Sequence, residues 1–113
     1  MVRYYQRAIA GNRALITTNY VLAELVALLT TRSRGPRADL LSYFVRLRTA
    51  PQIRIVHIDP DLDAQAWDPL DRQVDKEHSL VDASSFVVMR RFGIHEAFTS
   101  DHHFAQAGFL RVP

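Results

Sequence analysis

Four short apolar runs, separated by stretches with helical periodicity, predict an α/β domain built on a parallel sheet. The runs are 14–17, 53–58, 97–99 and 109–112. The chain has 113 residues, 48% of them apolar, enough for one core and too few for two, so residues 1–113 are read as a single domain. Gly and Pro are scattered, and no repeat, linker or shift in composition marks a boundary.

The elements follow in order. Val2, Tyr5 and Ile9 share one helical face, and Gly11-Asn12 ends that helix. Ala14 to Thr17 is a buried strand. Thr18 or Asn19 caps a helix running to about Arg32, and Gly35-Pro36 breaks it. Leu40, Leu41, Phe44 and Leu47 form the inner stripe of the next helix. Ile53 to Ile58 is the clearest strand, and Asp59-Pro60 starts a helix after it. In that helix Trp67 is expected to anchor the core. Arg72 to His78 is a polar connection, Ser79 opens a helix to Arg91, and Gly93 stops it. Ala97 to Thr99 is a brief strand, Asp101 to Ala107 one or two helical turns, and Phe109 to Val112 a last strand.

With no Cys, disulfides, thiolate zinc sites and a thiol nucleophile are excluded. The most apolar stretch, Tyr20 to Leu29, is too short to span a bilayer and contains Glu24. Arg3 and Arg7 interrupt any signal-peptide run, so a cytoplasmic setting is expected. The formal net charge of +2 conceals a split: residues 1–58 carry nine Arg against Glu24 and Asp39, whereas 59–113 carry an acidic excess. Thirteen of the 14 basic residues are Arg, whose planar fork suits phosphate. The split reads either as two solvated faces or as a basic half for a polyanion beside acids for a cation.

Three acids fall where an α/β sheet collects ligands, at the carboxyl ends of its strands. Glu24 follows the first run among Tyr20, Val21, Ala27 and Leu28, where a carboxylate calls for a metal, an Arg or a pocket. Asp82 lies in the first turn after Ser79, and Asp101 directly follows the run 97–99. Carboxylates converging within about 4–5 Å repel by several kcal/mol unless they share a cation or proton. Such hard oxygen donors suit Mg²⁺ or Mn²⁺. Each acid also has an ordinary structural use. Ser79-x-x-Asp82 matches a capping box, Asp101 can cap the following turn, and Glu24 can pair with an Arg. His102-His103 are helical neighbours pointing about 100° apart and read as polar or core packing, and Ser84-Ser85 lie mid-helix, where packing or back-bonding is expected. The isolated glycines make no phosphate loop.

Three segments together resemble a known family. Thr17-Thr18-Asn19-Tyr20-Val21-Leu22-Ala23-Glu24 is similar to the second motif of PIN-domain nucleases. Asp75 through Phe86, with Ser79, Leu80, Val81 and Asp82 at its centre, is similar to the third, and Phe98-Thr99-Ser100-Asp101 through Phe109 to the fourth. Nearly the whole chain resembles VapC-type toxins of bacterial toxin–antitoxin pairs. The resemblance implies a three-layer α/β/α domain with Glu24, Asp82 and Asp101 as metal-binding catalytic acids. It also implies Mg²⁺ or Mn²⁺ as cofactor, RNA as substrate, a cognate antitoxin as partner and a homodimer as a further association. Arg3, Arg7 and Arg13 are the nearest candidates by chain position for holding the RNA backbone.

The family pattern begins with a central strand ending in an Asp ligand, and residues 1–23 contain no Asp or Glu. That first strand and its acid are therefore expected to be missing, through a misplaced start or decay, with unpaired strand edges and low stability as the result. Two other functions compete with the nuclease. One is a non-catalytic remnant that docks an antitoxin or a like subunit. The other is a phosphoacceptor receiver domain, which needs a Lys after a late strand, whereas Lys76 is the only Lys and lies in a polar connection.

Overall fold

The computed structural model describes residues 14–32, 35–72, 79–98, 102–108 and 110–112. The expected helix at 2–10, with Arg3 and Arg7, lies outside them, as do Arg13 and Asp101. Strand β1 (Leu15–Thr18) runs directly into helix α1 (Asn19–Arg32). The join is capped by Thr18, buried at the strand end, whose hydroxyl accepts the Val21 N–H at 3.1 Å. Helix α2 (Arg37–Thr49) starts just after Pro36 and ends at extended Ala50. Strand β2 (Ile53–Val56) then pairs with β1 in parallel, from Leu15 beside Ile53 to Thr18 beside Val56.

Helix α3 (Pro60–Arg72) begins on a proline, and the Asp59 carboxylate caps it by accepting the Leu62 N–H at 2.9 Å. Helix α4 (Leu80–Arg91) opens with Ser79 as its cap and stops where Gly93 takes φ +64°, a left-handed conformation costly for other residues. Strand β3 (Glu96–Phe98), helix α5 (His102–Gln106) and strand β4 (Leu110–Val112) complete the chain. β3 and β4 are also parallel, from Glu96 beside Leu110 to Phe98 beside Val112. Among the described residues the strands form these two parallel pairs, and none joins β1 to β3.

The core lies on α4. Phe86, Met89 and Ala97 are buried together, with Ile94, Phe104 and Ala107 packed against them. The rings of Phe86 and Phe104 meet edge to face at 4.8 Å between centroids. On its other side α4 packs against α3, where Ala66, Ala83 and Ser84 are fully buried and their small size lets two helices approach closely. Ser84 satisfies its buried hydroxyl by donating to the Val81 carbonyl at 2.7 Å, the local role its mid-helix position predicts.

Two expected core residues are corrected. Trp67 is 47% exposed, because Leu62 and Ala66, one turn apart, take the inward face of α3 and leave the indole about 100° away. Leu41 is 50% exposed for the same reason. Leu47 is buried and Leu40 and Phe44 half-buried on one stripe of α2, and Leu41 lies a residue off it. No helix among the described residues is long and apolar enough to cross a membrane. Replacing Phe86 with Ala should cost about 3–5 kcal/mol. Urea unfolding will register this as a lower midpoint with an unchanged slope.

Candidate functional site

The carboxyl ends of β1 and β2 lie side by side, since Thr18 pairs with Val56. Both α1 and α3 start at this rim, so the first turn of α1 meets the chain leaving β2. The Ile58 N–H donates to Asn19 Oδ1 at 2.7 Å, and the Tyr20 hydroxyl donates to Asp63 Oδ1 on α3 at 2.6 Å. Neither contact is announced by local sequence, because the partners lie 39 and 43 residues apart. The hydrogen bond to Asp63 holds the Tyr20 phenol above its ordinary value of about 10, with desolvation and the carboxylate charge adding to the rise.

Glu24 lies one helical turn beyond Tyr20. The expectation of a carboxylate enclosed by apolar neighbours is only partly met: Glu24 is exposed, as are Ala27 and Leu28, and Tyr20 and Val21 are half-buried. Among the described residues no hydrogen bond or ion pair engages its carboxylate.

Asp82 is half-buried at the third position of α4 and completes the capping box. Its backbone N–H donates to Ser79 Oγ at 3.1 Å, and its Oδ2 accepts the Ser79 N–H at 3.4 Å. The structural use foreseen for Asp82 is thus present, and its Oδ1 atom has no hydrogen-bond partner among the described residues. The two acids are carried on adjoining helices, because α1 packs against α4. Asp101 lies outside the described residues, and no group of three metal-capable side chains occurs among those described.

As donors, the open Glu24 carboxylate and the uncommitted Asp82 oxygen fit a hard divalent cation, for which carboxylate oxygen is the preferred ligand. The cations available to an anionic partner are on the basic half. Arg37, Arg46 and Arg48 of α2 are exposed and have no acidic partner among the described residues. Arg72 and Arg91, by contrast, pair with Asp68 and Asp61, each at 3.2 Å.

Residues 2–110 match the family model described as PIN domain. Over 98 residues, 87% of this chain and 72% of the relative, the chain is 43% identical to the 23S rRNA-specific endonuclease VapC20 of Mycobacterium tuberculosis, in both the CDC 1551 / Oshkosh and H37Rv strains. The crystal structure of Mycobacterium tuberculosis VapC20, described as a sarcin-ricin loop cleaving toxin, aligns with a TM-score of 0.80. It does so at 39% identity, covering 95% of this chain and 81% of that one.

Two measurements probe this geometry. In an ultraviolet titration the Tyr20 phenol should ionise above pH 10 and move back toward 10 in Asp63→Ala. The raised folded value means that this bond stabilises the fold fully below pH 10 and ceases to do so as pH rises through the Tyr20 transition. Ser79→Ala should lose about 1 kcal/mol of stability. Asp82→Asn, which keeps a carbonyl acceptor for the cap, should lose less, and thermal unfolding of the two variants reads the difference.

Proposed function

The chain belongs to the PIN domain family, and on that footing we propose that it is a divalent-metal-dependent endoribonuclease of the VapC toxin type. Residues 1–113 would act as one catalytic domain. The observation that carries this reading is the similarity to a ribosomal RNA endonuclease along nearly the whole chain, including the segments that hold Glu24 and Asp82. A binding remnant would give no use to the Glu24 carboxylate, which is exposed and without a partner among the described residues.

In this reading Glu24 and Asp82 supply carboxylate oxygens to Mg²⁺ or Mn²⁺, with Asp101 as the third acid. A bound ion would supply Lewis-acid polarisation of the scissile phosphate and of an attacking water. The protein's part is to hold these carboxylates apart from competing cations and to orient the RNA. The Ser79 cap biases the Asp82 side chain toward the start of α4, so less freedom is lost on binding. Arg3, Arg7 and Arg13, together with Arg37, Arg46 and Arg48 of α2, would hold backbone phosphates; a protein–phosphate contact of this kind carries no sequence information. A cognate antitoxin, a homodimer and a cytoplasmic setting belong to the same proposal. The 23S rRNA cut by the relative is the first substrate to test.

Purified protein should cleave RNA with Mn²⁺ or Mg²⁺ present and lose that activity in chelator, with recovery when metal is restored. Glu24→Gln, Asp82→Asn and Asp101→Asn should each reduce the cleavage rate at least about 100-fold, as expected for loss of a charged group from an electrostatic site. Variants that stay folded and cut at the wild-type rate would refute the assignment of that acid. Arg46→Ala should instead weaken RNA binding and flatten its salt dependence by about one unit of slope.

A further inference from the structure

We propose that Tyr20 and Asp63 form a positioning pair that sets the Glu24 carboxylate for cation binding. The inference rests on the reading of Glu24 as a metal ligand and concerns how the fold aims it. None of the residues of α1 is fully buried, so its packing against α2 and α4 holds its rotation about its axis only loosely. Its first turn is fastened in addition by polar contacts. Thr18 caps it, Asn19 accepts the Ile58 N–H, and Tyr20 donates to Asp63.

The last of these ties α1 to another helix. At 2.6 Å, with an ionised acceptor, it belongs to the stronger class of hydrogen bond. Asp63 is itself fixed in the first turn of α3, where its N–H donates to the Asp59 carbonyl at 2.9 Å. Tyr20 and Glu24 are four residues apart and therefore share a face of α1. A rotation of about 10° about the helix axis moves a side-chain atom about 5 Å from that axis by about 1 Å. A displacement of that size is enough to spoil a ligand set.

The test is calorimetric titration of Mn²⁺ into the full chain, with thermal unfolding of every variant. Tyr20→Phe should weaken Mn²⁺ binding roughly ten-fold, the loss typical of a residue that orients a ligand. It should add nothing in the Glu24→Gln background. Asp63→Ala should match Tyr20→Phe, whereas Asp63→Asn, which keeps an acceptor for the phenol, should restore most of the affinity. If Tyr20→Phe does not fold, the comparison of the two Asp63 variants decides.

The proposal is overturned if Tyr20→Phe lowers the melting temperature but binds Mn²⁺ as wild type does. It is equally overturned if the loss is the same with and without Glu24, which would mean a global effect. A different result separates the underlying reading. Wild-type protein that takes up no Mn²⁺, or Glu24→Gln that binds it unchanged, removes Glu24 as a ligand and the positioning role with it.

Discussion

The site depends on how the first turn of α1 is held. This helix carries Glu24 yet buries none of its own residues completely, so hydrophobic packing alone cannot orient it. Beyond its packing against α2 and α4, it is held by the covalent join to β1 and by three polar contacts within three successive residues, Thr18, Asn19 and Tyr20. Thr18 closes the helix start, Asn19 binds it to the chain leaving β2, and Tyr20 binds it to α3. Each satisfies a polar group at a half-buried rim where an unpaired one would cost about 1–3 kcal/mol. Because β1 and β2 pair in register, the same rim is formed from segments distant in sequence.

Asp82 shows a second economy of construction. In the sequence a helix cap and a metal ligand are competing explanations for this residue. In the structure they are compatible, because a carboxylate has two oxygens and the cap engages one. The capping geometry places the side chain at the start of α4, the end of a helix that favours negative charge. The Phe86 and Met89 cluster further along α4 holds the rest of the helix against β3 and α5. Local capping and distant packing thus bear on one acid.

Much of this architecture was legible in the sequence because it rests on local chemistry. Pro60 after Asp59, Ser79 three residues before Asp82 and Gly93 after Arg91 each mark a helix end, and each does so in the structure. The parallel pairing of 15–18 with 53–56 follows from apolar runs separated by helices. Trp67 and Leu41 were not legible, because apolar character does not say which of two adjacent helical positions faces inward. The tie between Tyr20 and Asp63 was hidden for a different reason: neither residue has a local pattern naming a partner 43 positions away. Glu24 is marked by its strand-end position and its motif, and its expected enclosure is only partly met. Asp101 was chosen on the same grounds, and its placement lies outside the described residues.

The two strand pairs differ in how much chain each must close. β3 and β4 are connected through residues 99–109, whereas β1 and β2 are connected through residues 19–52, which include two helices. Loop-closure entropy separates them by only about 1 kcal/mol. Contact separation, however, governs folding speed more strongly than it governs stability. The carboxyl-terminal half can therefore nucleate first, with α4 as its scaffold. The Glu24 helix and its partner strands would condense afterwards, leaving the candidate catalytic rim among the last parts of the molecule to acquire its shape.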